Sequence, residues 1–408
     1  MDNFRQPNGP IGHAEHMTES ESVLPHGDRL PDRPRVRPGV AVLHRRAGEV
    51  QFGLDPRRAL LIGDLPAPVV AVAVDLTGGR TTAELLAGLG PPDRSALREL
   101  LGELTARGVV EDAAAPAPAV ASRLLADDAL AAWRPVAPLP ADRRDAGVEV
   151  RGDGRLAVAV ACLLAQAGVG HVTVRASGVV TAAEVGAELR TDDVGRARRA
   201  AAHDAVRRAD PSVNTRGFTN VRPDLVLLTD ALVPDPVVVA GLAERGLPHL
   251  CVSSRDGEGL VGPLVVPGLS CCVRCLDHHR ARADPCWPLV AAQLAGRSQP
   301  ADLATAHVTA GVAAAQALRA VAWLRDPWTP PPSTWNATVA VDAFAATLRR
   351  TAWEPHPECV CRAATRPTYR HLLPGARRQQ PTTGSRRPPG RSTAESSPKL
   401  IDRGDIGR

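Results

Sequence analysis

Two stretches of regular apolar patterning run along the chain, separated by a segment dominated by Ala and Pro. In the first, from about Val36 to Asp112, Val40–Leu43 and Val50–Leu54 are short apolar runs around a turn at Ala47-Gly48, which predicts two strands. Val69–Val74 fits a strand or a short helix, and Pro66 and Pro68 limit how early a helix could start. Thr81 through Glu84 is a capping-box pattern opening a short helix. Asp93 is placed to cap the next helix, on which Leu97, Leu100, Leu101 and Leu104 share one face. Gly108 supplies the left-handed residue that ends it, and Val109-Val110 returns as a strand. This alternation of short strands and helices predicts a small α+β module of the winged-helix type.

The second stretch, from about Val148 to Arg362, alternates strand and helix patterns. Strands are expected at Val148–Arg151, Val172–Val174, Leu225–Leu228 and Leu250–Ser253. Helices are expected at Leu156–Ala167, Val194–Ala209 and Asp235–Arg245, with Gly168, Asp210-Pro211 and Gly246 as their stops. Such alternation predicts an α/β, Rossmann-like, mainly parallel sheet with helices on both faces. Leu303–Leu324 is the longest apolar run, but His307, Gln316 and Arg319 interrupt it, so it reads as a buried helix rather than a membrane span.

The resulting plan is a disordered tail over residues 1–35, a module at 36–112, a linker at 113–146 with one helix around Val120–Trp133, an α/β domain at 147–362, and a disordered Arg- and Pro-rich tail at 363–408. Hydrophobic residues are 44% of the 408, but aromatics only 3%, so Ala, Val and Leu must pack the cores. The formal charge of +5 is too mild to imply nucleic-acid binding. Lys399 is the only lysine, which excludes lysine chemistry from the folded region. The N-terminus has no secretory pattern, so a cytoplasmic protein with reduced or metal-bound cysteines, and no membrane partner, is expected.

Two motifs carry chemistry. Gly152-Asp-Gly154-Arg-Leu-Ala157 fits the G-x-G-x-x-A turn between a strand and a helix, where glycines allow close phosphate approach and the helix start offers free N–H groups. An acidic residue at the end of the second strand would hold the ribose, and none stands in Val174-Arg175-Ala176-Ser177-Gly178. The turn is therefore better supported as architecture than as a nucleotide site. Separately, Cys272-Val-Arg-Cys275 and Cys359-Val-Cys361 are two close pairs far apart in sequence. They suit a tetrahedral structural Zn2+ site, with buried free cysteines or a redox pair as the alternatives. Cys271, Cys286, His278 and His279 are spare candidates for the metal, with packing or surface roles as the favoured reading of each.

On these residues the second region resembles ThiF/MoeB-type proteins, which share the fold of ubiquitin-like-modifier-activating enzymes. The matching parts are Val148 through the Gly168-Val-Gly-His-Val-Thr-Val174 run, Asp193-Val-Gly195-Arg-Ala-Arg198, Asp224 through Asp230, and Gly259 through Cys275, in the family's order. The front module is similar to PqqD-like leader-peptide-binding modules, on Leu76 through Glu84 and Leu104 through Val110. The pair resembles the ThiF-like precursor- or leader-peptide-binding proteins of bacteriocin cyclodehydratase systems. The resemblance implies ATP and Mg2+ at Gly152, Gly154, Arg155, Arg198 and Asp230, with Asp230 at the magnesium position. Against it, Arg155 and Ala157 stand where the family has glycine, Ala176 and Gly178 where it has aspartates, and Arg198 where it has lysine. Asp230 is open to a second reading, as a helix N-cap. No catalytic residue is assigned. Cys251, the one thiol considered for transfer, follows an apolar strand and reads as buried. The expected function is a binding protein with an eroded ATP site that presents a precursor or leader peptide to a partner maturation enzyme, with a homodimer possible. The alternative is an ATP-dependent adenylyltransferase acting on a ubiquitin-like or carrier-protein C-terminus. An NAD(P) oxidoreductase would lack its ribose acid.

Overall fold

The structure is a computed structural model that describes residues 30–115 apart from 57 and 58, residues 124 and 127, residues 143–361 apart from 220, 327 and 328, and residue 372. These fall into two compact units, 30–37 with 41–114, and 38–40 with 115 onward. The expected tails, apart from 30–35 and 372, and nearly all of the helix expected around Val120–Trp133 lie outside the described residues.

The first unit contains β1 (Pro34–Val36), β2 (Val42–His44), β3 (Val50–Phe52), β4 (Leu60–Ile62), α1 (Ala67–Ala73), α2 (Thr82–Ala87), α3 (Pro91–Ala106) and β5 (Val110–Asp112). β2, β3 and β4 form an antiparallel sheet in that order, and β1 pairs antiparallel with β5. The capping box at the start of α2 is complete: Glu84 N donates to Thr81 Oγ1 (3.1 Å) and Thr81 N donates to Glu84 Oε2 (2.7 Å). All four leucines of the α3 stripe are buried, as are Val50, Phe52, Val69 and Ala73 of the same unit. Three local readings change. The ambiguous Val69–Val74 run is helical, because Pro66 and Pro68 occupy the cap and first turn, where their missing N–H groups cost nothing. α3 starts at Pro91 with Gly90 as its cap, so Asp93 lies inside the first turn, where a carboxylate suits the helix's positive end. β1 begins at Pro34, within the segment assigned to the tail, its ladder to Asp112 and Glu111 being long-range and unmarked by any alternation.

The second unit contains β6 (Gly147–Arg151), α4 (Arg155–Gln166), β7 (His171–Arg175), α5 (Arg198–Ala209), β8 (Leu225–Thr229), α6 (Pro236–Glu244), β9 (His249–Arg255), β10 (Glu258–Val265), α7 (Val273–Ala283), α8 (Trp287–Leu294), α9 (Leu303–Arg325), β11 (Ala337–Asp342) and β12 (Thr347–Ala352). They build one seven-stranded sheet ordered β12-β11-β10-β9-β8-β6-β7. β7, β6, β8 and β9 are parallel, as the strand–helix alternation requires, and β10, β11 and β12 extend the sheet antiparallel. The α/β Rossmann-like class stands, with an antiparallel half added to the parallel one. α5 starts at Arg198 rather than Val194, because Gly195 turns the chain with φ 82° after a short 3-10 turn at Thr191–Asp193.

Helices cover both faces. Val148, Val150, Leu225, Leu227, Leu250 and Val252 point to one side and pack under α4, α5 and the alanine-rich face of α9. Val226, Leu228 and Val265 point to the other and pack with Val239 and Leu242 of α6 and Val273 of α7. With few aromatics, the first core closes by Ala157, Ala161, Ala165, Ala313 and Ala317 letting helices approach closely. Among the described residues no helix is long and apolar enough to cross a membrane.

Candidate functional site

The chain leaves β6 for β7 on one side and reaches β8 on the other, so the carboxyl end of β6 is a topological switch point, where open α/β sheets form their ligand crevice. A cleft of about 540 Å3 lies there, lined among others by Arg151, Gly152, Asp153, Arg175, Arg199 and Asp230. The Gly152–Ala157 turn forms one wall and passes directly into α4, with Gly154 as its cap residue.

Asp230 explains the glycines of that turn. It follows β8 with φ 68°, is 6% exposed, and puts its carboxylate under the turn, accepting from Gly154 N (3.2 Å) and lying 2.9 Å from the Thr229 hydroxyl. A Cβ at Gly152 would meet Thr229 Oγ1 and Asp230 Oδ2, and one at Gly154 would meet Asp230 Oδ1, each well under 3 Å. Burial pushes the Asp230 carboxyl up to about 6, against the hydrogen bonds from Thr229 and Gly154 that hold it down. The N-cap of the following helix is Asp235, which accepts from Val237 N at 2.8 Å, so the cap reading of Asp230 is set aside.

The other expected nucleotide residues are engaged elsewhere. The Arg155 guanidinium donates to the carbonyls of Ala301 (3.1 Å), Val185 (2.9 Å) and Ala183, and does not line the cleft. Arg198 makes a two-armed pair with Glu184 (2.8 Å on each arm) and donates to the Ser177 carbonyl. Burial raises the Glu184 carboxyl, but the bonds from Arg198 and Thr181 outweigh it and hold the acid below its usual range. Asp153, inside the turn, accepts from Ser177 N (2.6 Å) and Ser177 Oγ (2.8 Å) and so closes the end of β7 over the turn. Sequence reasoning missed Asp153, Thr229, and the arginines of the cleft. Buried Glu149 braces two of these, Arg151 at 2.5 Å and Arg175 at 3.1 Å.

The four cysteines converge. Cys272 is the cap residue of α7 and Cys275 lies in its first turn, while Cys359 and Cys361 arrive after β12. Their sulfurs all lie within 4.8 Å of one another, a group that could hold a metal ion, with 272–275 and 272–359 at 3.7 Å and 275–361 at 3.5 Å. The neighbouring thiols, Cys361 foremost, pull the Cys272 thiol well below its usual range. His279 Nε2, 2.8 Å from the Glu354 carbonyl, fastens α7 to the returning segment, and Asn336 Oδ1 accepts from Cys271 N at 2.6 Å. Cys271 is buried beside the cluster, outside the set of four, and Cys286 is exposed; Cys251 is half-buried, and desolvation pushes its thiol up to about 12, which makes it a poor nucleophile.

No protein-family model and no curated protein matches this chain. Solved structures do match. Escherichia coli MccB bound to ATP aligns with TM-score 0.60 at 14% identity over 80% of this chain and 99% of that one. The microcin C7 biosynthetic enzyme MccB in complex with N-formylated MccA aligns with TM-score 0.60 at 14% identity over 81% and 99%, and PaaA with 0.57 at 15% over 77% and 98%. The fold is that of the ThiF/MoeB-type proteins. Within this ThiF-type fold, the crevice, the glycine turn and the converging cysteines occur together in one unit. An alignment over 80% of the chain is longer than that unit, so it extends into the first.

Proposed function

We propose that this ThiF-like protein binds a precursor or leader peptide and presents it to a partner modifying enzyme, with little or no ATP chemistry of its own. The observation that carries the reading is Asp230. The carboxylate expected to face a magnesium ion is 6% exposed at the cleft wall, tucked under the glycine turn and engaged by Gly154 N and the Thr229 hydroxyl. Ala176 and Gly178 supply no ribose carboxylate, and Arg198 is tied to Glu184. Arg155 leaves the cleft, so lost charges rather than crowding weaken the nucleotide site. The MccB structures include complexes with the peptide MccA, and the alignment with them reaches the first unit, which in this reading is a PqqD-like peptide-binding module using an edge of its small sheet. Fluorescence anisotropy of the full chain with labelled precursor peptides encoded beside its gene is the test. Saturable binding, absent with scrambled peptides, is expected; no binding by any of them sinks the proposal.

The cysteines would hold one structural Zn2+. A tetrahedral ion with Zn–S of about 2.3 Å sets sulfurs about 3.8 Å apart. Three of the six sulfur–sulfur separations, 3.5–3.7 Å, sit close to that edge, and all six are within 4.8 Å. Both ligands of α7 lie at its N-terminus, where the helix dipole favours thiolates.

The likeness to MccB with ATP, and the crevice at the switch point, keep a second reading in view: an adenylyltransferase activating a C-terminal carboxylate. Pyrophosphate exchange with ATP, Mg2+ and the same peptides separates the two. Exchange abolished by Asp230→Ala would establish the enzyme.

A further inference from the structure

We propose that the cleft binds a nucleotide bearing a phosphate monoester on its ribose, through Arg175 and Arg199. This does not depend on peptide capture by the first unit. In a strand–turn–helix–strand unit of this kind, the end of the second strand meets the ribose of a bound nucleotide; a carboxylate there takes the free hydroxyls, and an arginine takes a phosphate on them. Here that residue is Arg175, the last of β7, whose side chain is 60% exposed in the cleft. Glu149 holds it from below and is 4% exposed itself, so the guanidinium is positioned without being fully consumed.

Arg199 lines the same end of the cleft from the first turn of α5 and has no carboxylate partner among the described residues. Arg151, also on Glu149, completes a group of three guanidinium ions. The carboxylates nearby are occupied. Glu149 serves two arginines, and Asp153 is turned onto the Ser177 amide and hydroxyl. Asp230 and Asp235 follow β8, at the opposite end, and accept from Gly154 N and Val237 N. The cleft is thus basic beside β7 and acidic beside β8. Planar guanidinium donors match the oxygens of a phosphate dianion and leave donors unmatched against neutral hydroxyls. Leu228, Pro234, Val238 and Ala176 give the same cleft apolar walls for a base, in a volume of about 540 Å3 that suits a mononucleotide. A phosphate on the ribose accounts for an arginine standing where an acid would hold free hydroxyls.

Calorimetry on the full chain with adenosine 2′,5′-bisphosphate, adenosine 3′,5′-bisphosphate, AMP, Mg-ATP and inorganic phosphate tests this. NADP+ against NAD+ distinguishes a dinucleotide source from a mononucleotide one. One of the two bisphosphates should bind at least about ten-fold more tightly than AMP, the worth of one charge-assisted hydrogen bond. Arg175→Gln and Arg199→Gln should each erase most of that preference, lowering the affinity for the preferred bisphosphate far more than that for AMP, and Arg199→Gln should leave the melting temperature unchanged. Arg199 has no ion pair to lose, so its variant stays informative if Arg175→Gln destabilises the sheet edge. The proposal is overturned if AMP or Mg-ATP binds as tightly as both bisphosphates, if inorganic phosphate alone matches them, if the preference survives both substitutions, or if nothing binds.

Discussion

Asp230 couples the turn to proton uptake, and the sign of the effect follows from its raised carboxyl. Burial lifts it from an unfolded value near 4 to about 6, so the folded protein binds a proton more readily than the unfolded chain between those values. Stability from this group is present below pH 4 and is lost as pH rises through 6. Asp230→Asn keeps the shape and removes the ionisation, so the variant should gain on the wild type by on the order of 2–3 kcal/mol as pH goes from 4 to 7. Urea melts of both proteins at several pH values read this directly, and a difference independent of pH rejects it. His249 works in the opposite sense. Desolvation pushes it down to about 4 with its Nε2 unpartnered, so its contribution falls as pH drops from 6.5 towards 4. Comparison at fixed pH against the Asn variant cancels it. The steric side of the same contact gives a second expectation. Gly154→Ala drives a methyl into Asp230 Oδ1 and should cost about 1–3 kcal/mol, with partial recovery in the Gly154→Ala/Asp230→Gly double variant. Additive losses would mean that the two sites do not share this space.

At the scale of elements, the parallel half of the sheet was legible because each strand is a run of buried Val and Leu flanked by a helix with a clear stop, as in Leu225–Thr229 before α6. The antiparallel half was not. β12 is Thr-Leu-Arg-Arg-Thr-Ala, exposed along its whole length, and it exists through its ladder to β11 rather than by burial. In β10, Gly259 leaves the apolar pattern blank where the strand passes closest to α9. A Cβ there would collide with the Thr309 side chain. Gly259→Ala should therefore destabilise the second unit by about 1–3 kcal/mol. Thr309→Ala, which removes a buried hydroxyl without a partner, should be mild and should relieve Gly259→Ala in combination. Thermal melts of the two single variants and the double decide it. The site followed the same division. The turn and the cysteine pairs are local motifs and stand out in sequence, whereas Glu149 bracing Arg151 and Arg175, or Arg155 reaching Ala301, depends on contacts that no spacing encodes.

For the molecule as a whole, the cysteine cluster decides how the chain's return from β12 is held. Cys359 and Cys361 come back to α7 over more than 80 residues, past α8, α9 and the β11–β12 hairpin. Besides Trp353, Leu276, the His279 bond to Glu354 and the rings of His278 and His279 against His356, the hydrophobic cluster there consists of cysteines, so packing alone gives a weak closure. A bound metal would close that long loop and add its binding free energy to folding, since the unfolded chain offers no preformed site. Purified protein should carry one zinc per chain by elemental analysis. A strong chelator should lower the melting temperature of the second unit, and zinc should restore it. Cys361→Ser should act like the chelator, while Cys286→Ser, an exposed thiol outside the cluster, should change neither metal content nor melting. Full thermal stability in metal-free protein, with all four thiols open to titration, would leave the cluster as packed cysteines and assign the closure to Trp353, Leu276 and the contacts of His278 and His279 with His356 and Glu354.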